Sequence, residues 1–98
     1  MELDFANAVE LAPATAVALN VTISGTKAGA LYVCTKASGG SAAHILVDGK
    51  EAAIAAGNAS DLIPQYVYGV QPGARVTSDA ALSADAAGRK VTFIPYAD

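Results

Sequence analysis

The sequence is poor in the residues that build reactive or cross-linked sites. Its 98 residues include one cysteine, Cys34, one histidine, His44, and no tryptophan. A single cysteine cannot form an internal disulfide, and it cannot complete a zinc site with only one histidine. A lone thiol also fits synthesis in a reducing compartment. The sequence therefore predicts no metal site and no cofactor.

Charge is scarce as well. Charged residues make up 15% of the chain and the formal net charge is −3, whereas ordinary globular domains contain about 25% charged residues. Binding to nucleic acid needs a stripe of basic residues, so we expect no nucleic-acid partner. The low charge fits either a surface covered by another subunit or a neutral, alanine-rich surface.

The N-terminus lacks a basic start followed by an apolar run, since Glu2 and Asp4 stand there. This pattern predicts neither a signal peptide nor a transmembrane helix. We therefore expect no membrane association and synthesis inside the cell.

Apolar residues alternate with polar or small ones over the first quarter of the chain, which is typical of extended structure. Pro13 cannot donate a ladder hydrogen bond, so it divides an N-terminal arm, residues 1–13, from a β-rich domain, residues 14–98. We expect the arm to be a strand or a loose extended segment at about 2–12, and the first core strand to span about 16–24. A helix over 2–11 remains open, because Phe5 and Val9 are spaced i, i+4.

Turn signals separate the later strands. Asp48-Gly49 favours a type I′ hairpin between strands at 44–47 and 50–54, with a short helix over 50–56 as the alternative. Pro72-Gly73 favours a type II turn that begins a strand at 75–78, paired with a last strand at 89–96. Pro95 places that last strand at a sheet edge. About seven short strands predict an all-β domain, a small sandwich or barrel.

No arrangement of side chains points clearly to catalysis. Cys34 with His44 would make a nucleophile pair, but Cys34 lies in an apolar run and is expected to be a buried structural residue. Ser41, His44 and Asp48 have the residue types of a hydrolytic triad, yet a triad is built from separated elements. Asp79 and Asp85 could hold calcium, although a solvated loop fits them better. We expect no enzyme.

Tyrosines mark a possible contact surface. Tyr66, Tyr68 and Val70 are expected on one face of a strand, where Tyr32 could join them. Aromatic faces stack on sugars and bases, and they also pack across strands in cores and interfaces. The sequence fits both interpretations.

Two stretches of the C-terminal third resemble a known family. The segment from Gly73 to Asp79 reads GARVTSD, and the segment from Asp85 to Val91 reads DAAGRKV. This passage is similar to one in small capsid decoration (cement) proteins of tailed bacteriophages. The resemblance implies a non-enzymatic β-rich protein, often a trimer, on the outer surface of the virion. It implies two partners, the major capsid protein and sister copies of the chain.

The arm is suited to such contacts. Its alternating apolar residues could add a strand to a neighbour's sheet edge; these candidate contact residues are Leu3, Phe5, Val9 and Leu11. The alternative is another β-rich module, from a phage tail, fibre or surface, that binds a glycan or protein through Tyr66 and Tyr68.

Overall fold

The chain folds as a β-sandwich. The computed structural model describes residues 2–84 and 89–97, and these contain eight strands in two four-stranded antiparallel sheets. The all-β prediction is confirmed, with the sandwich as the architecture. The strands are β1 Val9–Glu10, β2 Ala18–Thr22, β3 Gly29–Thr35, β4 Ala43–Val47, β5 Lys50–Ala55, β6 Gln65–Val70, β7 Arg75–Ala81 and β8 Arg89–Pro95. Two 3₁₀ turns span Phe5–Asn7 and Ala59–Asp61.

The strand order brings distant parts of the chain together. The first sheet has the order β1-β8-β3-β6 and the second has the order β2-β7-β4-β5. Consecutive strands β7 and β8 lie in different sheets, so the prediction that they pair is wrong. Both strands contribute side chains to the core, Val76 from β7 and Phe93 from β8. Placing them in opposite sheets lets each sheet present an apolar inner face to the other.

The core lies between the sheets and is built mainly from alternate residues of strands β2 to β8. Leu31 and Val33 of β3 and Ile45 of β4 are fully buried. The intervening residues of β3, Tyr32 and Cys34, are half-buried on the outer face of the first sheet. A buried structural Cys34 was therefore the wrong expectation, because the strand alternation turns its side chain away from the core.

The two turns predicted from local sequence are both present. Asp48 and Gly49 have φ values of 51° and 82°, as a type I′ turn requires, and they join β4 to β5. The hairpin is confirmed and the helix over 50–56 is wrong. Gly73 has φ 86°, and the Ala74 N–H donates to the Gln71 carbonyl at 3.2 Å. This geometry confirms the Pro-Gly turn.

The last strand is not at an edge, contrary to the expectation from Pro95. Strand β8 lies between β1 and β3. The Pro95 carbonyl accepts the Asp4 N–H at 2.8 Å, and the next residue, Tyr96, donates its N–H to Ala28 at 2.9 Å. Backbone groups alternate in direction along a strand, so the missing N–H of Pro95 faces the N-terminal segment. The proline therefore costs the β3–β8 ladder no hydrogen bond.

A bulge interrupts β6. Val70 pairs with Gly29 and Val67 pairs with Leu31, so β6 carries an extra residue between these pairs. Gly69 takes the positive φ, 75°, that this irregularity needs. The alternation of side chains shifts at the bulge, and Val70 turns into the core with 3% exposure. The prediction that Val70 shares a face with the two tyrosines of this strand is therefore wrong.

The described part of the predicted arm, residues 2–13, lies along β8. The Leu11 N–H donates to the Val91 carbonyl at 2.6 Å, and the Ala97 N–H donates to Glu2 at 2.8 Å. Instead of one strand or a helix over 2–11, this segment contains a 3₁₀ turn and the two-residue β1. The core strand expected at 16–24 is present as β2. The division of the chain at residue 13 stays a prediction.

Candidate interaction surfaces

Cys34 and His44 are separated by the whole sandwich. Cys34 faces outward from β3 of the first sheet, and His44 faces outward from β4 of the second. Their neighbours Val33 and Ile45 fill the core between them. The suggested thiol and imidazole pair is therefore not formed.

His44 instead pairs with two carboxylates from neighbouring strands. Its Nδ1 lies 2.7 Å from Asp79 Oδ2, and its Nε2 lies 3.4 Å from Glu51 Oε1. The His44 backbone N–H donates to Asp79 Oδ1 at 2.7 Å. The hydrogen bond that the imidazole donates to the Asp79 carboxylate, with the nearby charge of Glu51, raises the pKa of His44. The hydrogen bonds that Asp79 accepts from His44 lower the pKa of the Asp79 carboxyl group.

The suggested hydrolytic triad is not formed in this arrangement. Asp48 lies in the hairpin turn, where its Oδ1 accepts the Arg75 N–H at 2.9 Å, and the imidazole of His44 bonds to Asp79 instead. Of the suggested calcium pair, Asp85 lies outside the described residues. Among residues 2–84 and 89–97, no three His, Cys, Asp or Glu side chains are grouped so as to hold a metal ion.

The large exposed apolar side chains fall into two groups. The first lies where β1 and β2 form one lateral edge of the sandwich, and it contains Phe5 (63% exposed), Val9 (49%) and Val17 (49%). The second belongs to the edge strands β5 and β6 and the segment before β6, and it contains Ile54 (51%) on the outer face of the second sheet, Ile63 (66%), and Tyr66 (45%) and Tyr68 (66%) on the outer face of the first. We call the first group the β1–β2 patch.

The predicted contact residues of the arm are split by the fold. Phe5 and Val9 belong to the β1–β2 patch, whereas Leu3 and Leu11 are half-buried. Leu3 forms a bridge with Tyr96, and Leu11 packs against the core. Of these four side chains, only Phe5 and Val9 are therefore available to a partner without a movement of the segment.

The three tyrosine rings lie close together on the outer face of the first sheet. Tyr32 and Tyr66 have ring centroids 5.0 Å apart with tilted planes. Tyr66 and Tyr68 are 5.9 Å apart and nearly parallel, at 14°. Burial, with smaller contributions from Cys34 and Tyr66, raises the pKa of Tyr32. The rings form a row in which the inner member is half-buried and the outer two are exposed, so one side of the row can accept a flat ligand.

A cleft of about 340 Å³ opens beside the β1–β2 patch. Its apolar wall includes Val9, Leu11, Ile23 and Phe93, and Lys27 lies on its polar side. Ile23 and Phe93 are core residues, with 3% and 4% exposure. The cleft therefore leads from the surface to the apolar interior between the sheets.

Sequence reasoning did not find Val17, Ile54 or Ile63 as surface residues. Val17 belonged to the regular alternation that predicted β2, and Ile54 to the predicted hairpin strand. Only the strand order shows that Val17 and Ile54 lie at lateral edges. The isoleucine before Pro64 was a usable signal for Ile63, since a residue before proline favours extended chain outside a ladder.

Comparison with protein-family models, with curated proteins and with solved structures finds no match to this chain. Within residues 2–84 and 89–97, no helix has the length and apolar character needed to cross a membrane.

Proposed function

We propose that this chain is a structural virion protein, a capsid decoration or cement protein of a tailed phage. In this role it binds the outer face of the head and stabilises contacts between major capsid subunits. It acts without catalysis or a cofactor, after synthesis in the host cytoplasm. The observation that carries the proposal is the β1–β2 patch, in which Phe5, Val9 and Val17 expose apolar surface along one edge of the sandwich and Val9 also lines an open cleft.

The resemblance to decoration proteins supports the proposal from a different direction. Its first stretch, residues 73–79, forms the Pro-Gly turn and most of β7. In its second stretch, residues 85–88 lie outside the described residues, and Lys90 and Val91 belong to β8. These residues build the sandwich, so the similarity concerns the scaffold and the binding surface is sought elsewhere.

Many weak contacts can together hold such a protein on a shell. Full burial of a Phe or Val side chain stabilises a complex by roughly 1.5–3 kcal/mol. Three such side chains cover only a small interface, which suits a protein that binds at many equivalent positions. Contacts to sister copies on the same shell would raise the effective concentration of each copy. The major capsid protein and sister copies are therefore the proposed partners.

The test measures binding to empty heads assembled from the major capsid protein of the same genome. We expect wild-type chain to sediment with these heads and Phe5→Ser to bind at least about tenfold more weakly, since tenfold corresponds to 1.4 kcal/mol. Tyr68→Ser removes an equally exposed aromatic residue from the opposite edge and should bind normally. Deleting residues 2–12 is a poorer test, because it uncovers the β8 edge and its core residue Phe93.

The proposal fails if wild-type chain does not sediment with the heads. If Phe5→Ser and wild-type chain bind equally well, the β1–β2 patch is not the contact surface. Thermal unfolding of each variant, followed by circular dichroism, controls for damage to the fold.

The row of tyrosines favours a second candidate function. Tyr66 and Tyr68 present parallel exposed rings, which is the arrangement that stacks on sugar rings or on a flat apolar partner. A phage tail, fibre or surface module would use this face to bind a glycan or protein. Glycan-array binding by wild-type chain that is lost in Tyr66→Ala/Tyr68→Ala would support it. Absence of binding to glycans, proteins and cells would rule it out.

A further inference from the structure

The sheet edges differ in how they are protected. Strand β1 has only two residues and follows a 3₁₀ turn, and short edge strands resist pairing with other chains. Strand β6 is interrupted by the bulge at Gly69, which also disturbs an edge. On β5, the Gln65 side chain accepts the Ile54 N–H at 3.0 Å and donates to the Ile54 carbonyl at 2.7 Å. These three edges are therefore short, bent or capped.

Among residues 2–84 and 89–97, none of these devices protects strand β2. It runs over Ala18–Thr22 at the edge of the second sheet. It contains no proline or lysine, and the irregularity in its pairing adds residues to β7 instead. No charged residue occurs from Leu11 to Thr26. An uncharged, regular edge strand is the kind that pairs with another strand.

The direction of its backbone groups defines which residues can pair. The Ile23 N–H donates to Ala74, and the Ile23 carbonyl accepts from Gly73, both at 2.8 Å. Odd-numbered residues therefore point their backbone groups at β7. Because the direction alternates along a strand, the N–H and C=O groups of Ala18, Asn20 and Thr22 point away from the sheet.

We propose that two copies of this chain associate through β2, antiparallel, across a twofold axis at Asn20. In this register Asn20 of one copy faces Asn20 of the other, and Ala18 faces Thr22. All three outward-facing residues then form hydrogen-bonded pairs, and the two second sheets become one continuous sheet.

Side chains and charge favour a second copy as the occupant. No like charges meet across the axis, since the strand is uncharged, and like charges directly opposite destabilise a pair. The same register places Val17 opposite Ile23 of the second copy. Val17 is half-exposed, and Ile23 lines the cleft. Ile23 itself is only 3% exposed, so pairing brings the exposed valine of each copy next to the apolar cleft of the other.

One strand pair covers much less than the ~1,600 Å² of a standard interface. We therefore expect a dissociation constant of roughly 10 µM to 1 mM, weak in solution and effective where copies are crowded. The dimer specifies how sister copies contact each other. Only the role of this dimer on a shell rests on the proposed function. The dimer itself is tested separately, because self-association is measured on the free chain.

The test combines charge reversal with mixing. Sedimentation of wild-type chain from 10 µM to about 1 mM should show a monomer–dimer equilibrium in this weak range. Asn20→Lys and Asn20→Glu should each weaken it at least about tenfold through like-charge repulsion at the axis, whereas an equal mixture of the two should restore it. Asn20→Ala, which keeps the backbone groups, should dimerise within about threefold of wild type.

Amide exchange measured by NMR gives a second readout at single residues. The amides of Asn20 and Thr22 should become protected as concentration rises, whereas that of Val21, which faces β7, should be protected throughout. A chain that stays monomeric at about 1 mM overturns the proposal, and so does a dimer that neither charge variant weakens or that the mixture fails to restore. None of these measurements uses heads, so they fail or succeed independently of head binding.

Discussion

Asp79 holds both the backbone and the side chain of His44. One carboxylate oxygen accepts the His44 N–H at 2.7 Å and the other lies 2.7 Å from the imidazole Nδ1. The residues are 35 positions apart, on strands β7 and β4. Strand pairing between β4 and β7 ends at Ile45 and Ser78, so this carboxylate continues the contact by one residue beyond the ladder.

The pair predicts a specific dependence of stability on pH. The pKa of His44 is raised in the folded state, so its contribution is complete below the unfolded pKa of about 6.5 and is lost as pH rises through the folded pKa. The pKa of Asp79 is lowered, so its contribution is present above about 3.9 and is lost as pH falls through the folded value.

We therefore expect the difference in melting temperature between wild type and His44→Gln to be largest between about pH 4 and 6.5 and to shrink above that range. His44 is the only histidine, so its NMR titration is unambiguous. A titration midpoint at or below that of a model peptide would contradict the prediction, and Asp79→Asn should move the midpoint down.

A second prediction concerns the cap on β5. The Gln65 amide satisfies both backbone groups of Ile54, so Gln65→Ala should lower the free energy of unfolding by about 1–2 kcal/mol. It should also increase aggregation, because it frees a strand edge. Gln65→Glu is the matched control, since its carboxylate still accepts the Ile54 N–H but cannot donate to the carbonyl.

Urea unfolding and light scattering would measure both effects. Gln65→Glu should lie between wild type and Gln65→Ala in stability. Equal stability of all three proteins would show that solvent satisfies this edge as well as the side chain does.

A third prediction concerns the hydroxyl buried beside β2. Ser78 Oγ accepts the Leu19 N–H at 2.8 Å and donates to the Ala80 carbonyl at 2.7 Å. It replaces ladder bonds where the pairing of β2 and β7 is irregular. Ser78→Ala leaves these backbone groups without a partner and should cost about 1–3 kcal/mol. Ser41→Ala, at an exposed position, should change the unfolding free energy by less than about 0.5 kcal/mol.

The sequence allows correct prediction where local chemistry decides the structure. Asp48-Gly49 and Pro72-Gly73 form their turns because positive φ is needed within two or three residues of the signal. The partners of a strand are decided by burial across the whole domain, so β7 and β8 were wrongly paired. The apolar residues of the N-terminal arm were also predicted from a local pattern, the alternation along the chain. Which of them face solvent depends on how the arm lies on β8.

The contact between His44 and Asp79 lies beyond such reasoning for the same physical cause. Local patterns relate Asp79 only to residues near it in the sequence, whereas its contact partner His44 is 35 residues away on another strand. The bulge of β6 had one local sign, Gly69 within an aromatic strand, since glycine inside a strand often marks a bulge.

A last prediction compares two glycines. A Cβ added at Gly29 would collide with the backbone carbonyl of Ile94, whereas one added at Gly39 would meet nothing within 4 Å. Gly29 lies where β3 pairs with the end of β8, and a collision with backbone cannot be relieved by a change of rotamer. Gly29→Ala should therefore cost about 2–3 kcal/mol. Gly39→Ala should be neutral or slightly stabilising, because it reduces the entropy of the unfolded chain. Chemical denaturation of both variants gives the comparison, and equal stability would mean that β3 and β8 are less closely paired at this end than the structure requires.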